Sequence, residues 1–113
     1  MSQVKFGAGI WHFANYIDRY ATDGYGPAIG LLDAIDMAGA VGDLSVVDLT
    51  WPFADPTLSH ERIKAQLTKN QLGVIGITPE IYTRKFGKGA FTNPDAGIRR
   101  EAHDLVTAAV GVV

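Results

Sequence analysis

The run Val46-Val47-Asp48-Leu49-Thr50-Trp51-Pro52-Phe53 (VVDLTWPF) decides how the rest of the chain is read. Val46, Val47 and Leu49 fall on both faces of any strand drawn through them, and strands apolar on both faces belong to parallel sheets covered by helices. The end of the run departs from a plain strand, because an aspartate, a tryptophan and a proline-braced phenylalanine arrive together. In α/β folds the loops after the carboxyl ends of strands hold the functional site. The stretch therefore predicts both a fold and a place to look.

Toward the N-terminus, Val4 to Phe13 (VKFGAGIWHF) is apolar and glycine-bearing, which predicts a first strand packed on both faces with close backbone neighbours. A polar, aromatic loop, NYIDRYATDGYG from Asn15 to Gly26, follows it. Pro27 then stands where a helix can begin, since proline at the first helical position loses no intrahelical bond. Ala28, Leu31, Leu32, Ile35, Ala38 and Gly39 recur at helical spacing and predict an amphipathic helix of about ten to fourteen residues closing near Gly39 to Gly42. The second strand starts near Leu44.

Toward the C-terminus, Ser59 is placed to cap a helix whose buried side carries Ile63 and Leu67, with Arg62, Lys64 and Lys69 in water. Gly73 to Thr78 predicts a third strand stopped by Pro79, and a long loop, PEIYTRKFGKGAFT, leads to Asn93 as N-cap and Pro94 as first helical residue. Ile98, Ala102, Leu105, Val106 and Ala109 mark the apolar face of that helix.

Strand and helix thus alternate three times, which predicts an α/β fold with right-handed crossovers and an all-parallel sheet. Three parallel strands leave two open edges and at least one uncovered face, whereas a closed barrel of this type needs eight strands in roughly 200 residues or more. The terminal VTAAVGVV heads as if toward another strand. The expectation is three strand-helix units of a parallel (β/α)8 TIM barrel, truncated, with residues 1–113 the N-terminal part of a single domain.

Composition narrows the function classes. With 113 residues and 47% apolar content, one folded domain is expected. Ten basic against twelve acidic residues, spread along the chain, leave no basic stripe for nucleic acid and no polybasic segment for anionic lipid. The absence of cysteine removes thiolate catalysis, disulfides and zinc-cysteine sites. MSQVKFGAG lacks a charged region followed by an uninterrupted apolar one and no run approaches the ~18 apolar residues of a membrane span, so a cytoplasmic protein binding a small neutral or polar ligand is expected.

The candidate site residues are those where each predicted strand gives out. They are Trp11 and His12, with Phe13, on the first; Asp48, Trp51 and Phe53, with Thr50, on the second; and Glu80 and Tyr82, with Thr83, on the third. Aromatics from all three clusters make a wall on which the apolar face of a sugar can stack, while Asp48, Glu80 and His12 offer hydrogen bonds or acid-base groups. The competing reading is that Trp11, Phe13 and Phe53 are core under long loops. Asp48 and Glu80 suit a proton-transfer or metal-binding pair, against which stands the ordinary use of strand-end carboxylates to cap loops and pair with Arg or Lys. His60 and His103 fall on predicted helices. Gly7-Ala8-Gly9 lies inside a strand, and FGKGAFT lacks the Ser or Thr after Gly-Lys that a phosphate loop needs.

Laid out this way, the sequence resembles the N-terminal part of a xylose isomerase-like TIM barrel, the superfamily of sugar isomerases and sugar-phosphate isomerase/epimerases. FGAGIWHF, DLTWPF, EIYT and FGKGAFTNPDAGIRREA carry the resemblance over nearly the whole chain. It implies that Trp11 matches an aromatic lining the substrate pocket and Tyr82 a phenylalanine walling it. It also implies carbohydrate metabolism with a divalent metal, Mn²⁺ or similar, bound by residues outside this chain, so no metal ligand and no catalytic residue is assigned within it. Where xylose isomerases carry a histidine and several aspartates on the second strand, Val46 and Val47 stand here and only Asp48 remains, which argues against aldose ring opening. Ketose epimerases, inosose-type dehydratases or lyases and the catalytic subunits of C-glycoside deglycosidases share the superfamily. The implied partners are a carbohydrate or sugar-derived molecule and the remainder of the barrel or another subunit, in a homo- or hetero-oligomer. The reading from a different class is a small, non-enzymatic α/β binding module that self-associates through its open sheet.

Overall fold

The backbone groups of the VVDLTWPF run are taken up by two parallel neighbours. In the computed structural model, which describes residues 4–14, 16–53 and 55–112, strand β2 (Leu44–Trp51) lies between β1 (Phe6–Gly9) and β3 (Gly73–Pro79). Gly7, Ala8 and Gly9 face Val46, Val47 and Asp48 on one side, and Val74, Ile77 and Thr78 face Val47, Leu49 and Thr50 on the other. Helix α1 (Leu31–Ala40) connects β1 to β2, α2 (His60–Lys69) connects β2 to β3, and α3 (Ala96–Val110) follows β3 and packs on it. The spatial order β1-β2-β3 repeats the sequence order.

Period-two alternation separates the two faces of β2. Val47 and Leu49 are buried in one cluster with Ala34, Ile35 and Ala38 of α1, Ile63 and Leu67 of α2, and the flanking Ile10 and Leu72. Ile35 and Val47 are the largest side chains wholly out of water, each contributing on the order of 1.5–3 kcal/mol by burial. The two helices are also clasped by polar groups: Asp36 Oδ1 accepts from Asn70 Nδ2 at 2.8 Å and from Gln66 Nε2. Gly39 permits this, because a side chain there would run into Asn70.

The other face of the sheet is different. Val46, Asp48 and Thr50 are only half-buried, and Val4 and Phe6 at the β1 edge are 79% and 60% exposed. The expectation that the first two strands are packed on both faces is corrected to one covered face, and the second face is left open, as a count of only three parallel strands implies. The accessible surface of 7408 Å² exceeds the roughly 6,000 Å² of a folded monomer of this size, and the radius of gyration of 15.2 Å exceeds about 13 Å.

Three boundaries also move. The first strand is shorter than Val4–Phe13, because Ile10–His12 turns into a single 3-10 turn. Helix α1 starts after Gly30, so Pro27 and Ala28 lie outside it and are exposed; Leu31 is the first residue of that segment to reach the core. Asp95, not Asn93, caps α3, accepting from Gly97 N at 2.7 Å and Ile98 N at 3.4 Å, since a carboxylate there meets both the free amides and the positive end of the helix. Asn93 is buried instead, donating to Gly89 O at 2.8 Å and accepting from Asp95 N at 2.9 Å. Ser59 caps α2 as expected, accepting from Arg62 N at 3.1 Å. Asn15 of the aromatic loop and Val113 of the terminal run lie outside the described residues. Among the described residues no helix is long and apolar enough to cross a membrane.

Candidate functional site

The carboxyl ends of the three strands meet at a cavity of about 100 Å³. Trp11, Phe53, Glu80 and Tyr82, drawn from all three predicted clusters, line it together with Tyr16, Thr50, Pro52 and aliphatic groups that include Ile10, Ile17 and Ile29.

Trp11 reaches the cavity because the chain turns back on itself after β1. Gly9 is extended, with φ −72° and ψ 136°, and the turn lays the Trp11 indole over it. A methyl group built on Gly9 would fall inside the ring, with Cη2 at 2.6 Å. The glycine is thus a seat for the indole. Gly76 does the same for Asp48, whose Oδ2 lies 2.6 Å from where a methyl on Gly76 would be.

Three expected site residues lie elsewhere. Asp48 sits deeper on the sheet face, and its Oδ1 accepts from Thr78 Oγ1 at 2.7 Å; it joins β2 to β3. His12 is exposed beside Trp11, ring centroids 6.0 Å apart. Trp51 supports the site from behind: its carbonyl accepts from Glu80 N at 2.7 Å and its ring packs edge-on against Phe53 at 5.1 Å. The Trp51–Pro52 peptide is cis.

Tyr16 was missed as a lining residue; the only sequence signal was the aromatic content of its loop. Its ring stacks on Tyr82, centroids 5.8 Å apart and planes 12° from parallel. Reciprocal arginine contacts fasten that loop to the one after β3. Arg84 Nε donates to Arg19 O at 3.1 Å, Arg84 Nη2 donates to Tyr20 O at 3.3 Å, and Arg19 Nη1 donates to Gly87 O at 3.5 Å. Within the loop, Asp18 accepts from Ala21 N at 2.9 Å, from the Tyr25 hydroxyl at 2.8 Å and from Tyr20 N at 2.7 Å. These bonds favour the charged carboxylate and hold Asp18 below the usual range.

Glu80 is half-buried, and removal from water pushes its carboxyl above the ordinary value. Among the described residues no group hydrogen-bonds or ion-pairs with that carboxyl. The Tyr82 phenol is pushed up to about 12 by burial, then by the negative charge of Glu80 and by Tyr16, with the Thr50 hydroxyl acting the other way. Tyr82 is therefore a protonated donor at neutral pH. An aromatic wall with one carboxylate, one phenol and one threonine hydroxyl can hold a small polyhydroxy or polar ligand by its apolar face and orient its polar edge.

Among the described residues no three His, Asp or Glu side chains converge on a point, and Asp48 is engaged by Thr78. No protein-family model matches the chain, and a search among curated proteins finds no match.

Proposed function

We propose that residues 1–113 are the N-terminal part of a divalent-metal-dependent, carbohydrate-active (β/α)8 barrel, most simply a sugar isomerase or epimerase, and supply one wall of its substrate pocket. The carrying observation is the gathering of Trp11, Phe53, Glu80 and Tyr82 from three successive strand ends at one cavity, on the carboxyl edge of a parallel sheet ordered β1-β2-β3. Barrels keep strand order and place their sites at that edge, whereas doubly wound sheets reverse order at a switch point. The uncovered sheet face with Val46, Asp48 and Thr50 supports the same reading, since a barrel fills such a face with side chains from other strands.

In this reading Trp11 and Phe53 face the carbon skeleton of the sugar, Glu80 accepts from a hydroxyl, and Tyr82 donates to one. The metal belongs to the rest of the barrel. A C-glycoside deglycosidase subunit or an inosose-type lyase would use the same wall. The exposed β1 edge (Val4, Phe6) and the unpaired, 71% exposed Ile75 on β3 favour one reading from outside catalysis, a self-associating binding module, because open apolar edges invite pairing.

Intact mass of the protein from its source separates them: a species far heavier than 12.1 kDa is expected, and a stable species of that mass alone sinks the barrel. On the full protein, titration with ketoses and polyols followed by tryptophan emission should show saturable binding that Trp11→Ala weakens about tenfold, as loss of an aromatic anchor does. Unchanged affinity would return Trp11 to a packing role.

A further inference from the structure

The geometry points to an organic ammonium group as the ligand moiety that the Trp11–Tyr16–Phe53–Glu80–Tyr82 cavity receives. The inference rests on reading this cavity as the ligand site and goes beyond the carbohydrate reading by naming the charge of what enters it.

Among the described residues, four aromatic side chains and a single carboxylate line the cavity, and no lysine or arginine does. Cations are attracted to the faces of Trp, Tyr and Phe, and aromatic cages are the common way to bind quaternary and methylated ammonium groups. Glu80 supplies what such a cage lacks when its walls are neutral. Its carboxylate is half out of water, and among the described residues it has no cation and no hydrogen-bond donor. A carboxylate drawn half out of water and left open toward an aromatic-walled space is complementary to an incoming positive charge. The two nearby arginines do not fill that role, since Arg19 and Arg84 donate to backbone carbonyls outside the cavity.

Size gives the same answer. A dry cavity of about 150 Å³ holds a benzene molecule, so the roughly 100 Å³ that these residues enclose takes less than a whole sugar ring, and the rest of the ligand lies toward the side that the remainder of the barrel closes. The cavity accommodates a compact head, such as an ammonium with its attached carbons, while the remainder of the ligand extends through the open mouth. Tyr16, stacked on Tyr82 at 5.8 Å, forms part of the wall around that head. For a carbohydrate this means an amino sugar or aminopolyol entering amine first.

The test compares charged and neutral isosteres on the full protein, following the Trp11 indole N–H resonance, assigned by its loss in Trp11→Phe, by NMR in buffers matched for chloride. Choline is expected to shift the Trp11 resonance with a Kd about tenfold lower than 3,3-dimethylbutan-1-ol, the size of a desolvated cation–aromatic contact. Glucosamine should bind more tightly than glucose by a similar factor. Glu80→Gln, which keeps the shape and removes the charge, should bring choline and its neutral isostere within about threefold of each other. Equal binding of choline and 3,3-dimethylbutan-1-ol by the wild-type protein overturns the inference, a result that needs no variant to fold. So does an unaltered choline preference in Glu80→Gln. Failure of neutral sugars to bind while choline does would remove the neutral-sugar reading and leave the ammonium site standing; the reverse pattern would remove the ammonium site alone.

Discussion

Replacing Gly9 by alanine tests how the site is built. The backbone at Gly9 is extended, φ −72° and ψ 136°, a conformation any residue adopts, so the substitution introduces no backbone strain. The whole effect comes from one methyl group placed inside the Trp11 indole, where Cη2 is 2.6 Å away and ordinary contact begins near 3.4 Å. The ring has to move by the order of an ångström. Overpacking a closed core costs about 1–3 kcal/mol, but this indole borders an open cavity and can swing into it, which places the loss at the lower end, about 1 kcal/mol. For a domain of this size that is a fall in Tm of about 5 °C. The cavity suffers more, since the displaced ring occupies it, and ligand affinity should fall at least tenfold. Thermal unfolding by circular dichroism, run beside ligand titration, separates the two effects, and Gly26→Ala, whose methyl meets nothing within 4 Å, is the control. If Gly9→Ala leaves the Trp11 indole resonance and the affinity unchanged, or removes more than about 4 kcal/mol of stability, the indole is not seated on Gly9 as described.

Glu80→Gln should stabilise the protein at pH 7 and not at pH 3. Burial raises the folded-state value of Glu80, so the folded protein holds its proton more tightly than the unfolded chain. The penalty of the buried charge is absent below the unfolded value, grows as pH rises past it and is full above the folded value; urea unfolding at the two pH values reads the difference, and an equal effect at both contradicts the argument. Ile35→Ala empties a fully buried position under β2 and is expected to cost about 3–4 kcal/mol, measured by urea unfolding; a loss below about 1 kcal/mol would mean α1 does not pack as described. Arg84→Ala removes the guanidinium held by Arg19 O and Tyr20 O. Exchange at the Tyr20 and Ala21 amides should quicken while global stability changes by less than about 1 kcal/mol, and unaltered exchange would show that the arginine does not fasten the loop.

Strand and helix order was legible because it rests on local signals. The double-sided apolar run at Val46–Leu49, the cap at Ser59 and the helical spacing of Ile63 and Leu67 each depend on residues a turn apart. Boundaries were less legible where two residues compete for one role. Asn93 and Asp95 are both good caps, and only the burial of Asn93 against Gly89 decides for Asp95. Pro27 is permitted at a helix start, but nothing in the core holds the chain helical until Leu31.

The site divides along the same line. Which strand ends carry aromatic and acidic groups follows from the order of residues alone, because the alternation of strand and helix orders the loops before any contact is known. Which of those groups converge depends on how the folded loops meet in space. Asp48 and Glu80 look alike in sequence, yet Asp48 is satisfied by Thr78 across the sheet and Glu80 is left open. Tyr16 joins Tyr82 through arginine contacts spanning more than sixty residues. Trp11 enters the cavity because a glycine two positions earlier leaves room. Side-chain pairing across strands and empty space above a glycine are properties of neighbours in space, and no periodicity along the chain encodes them.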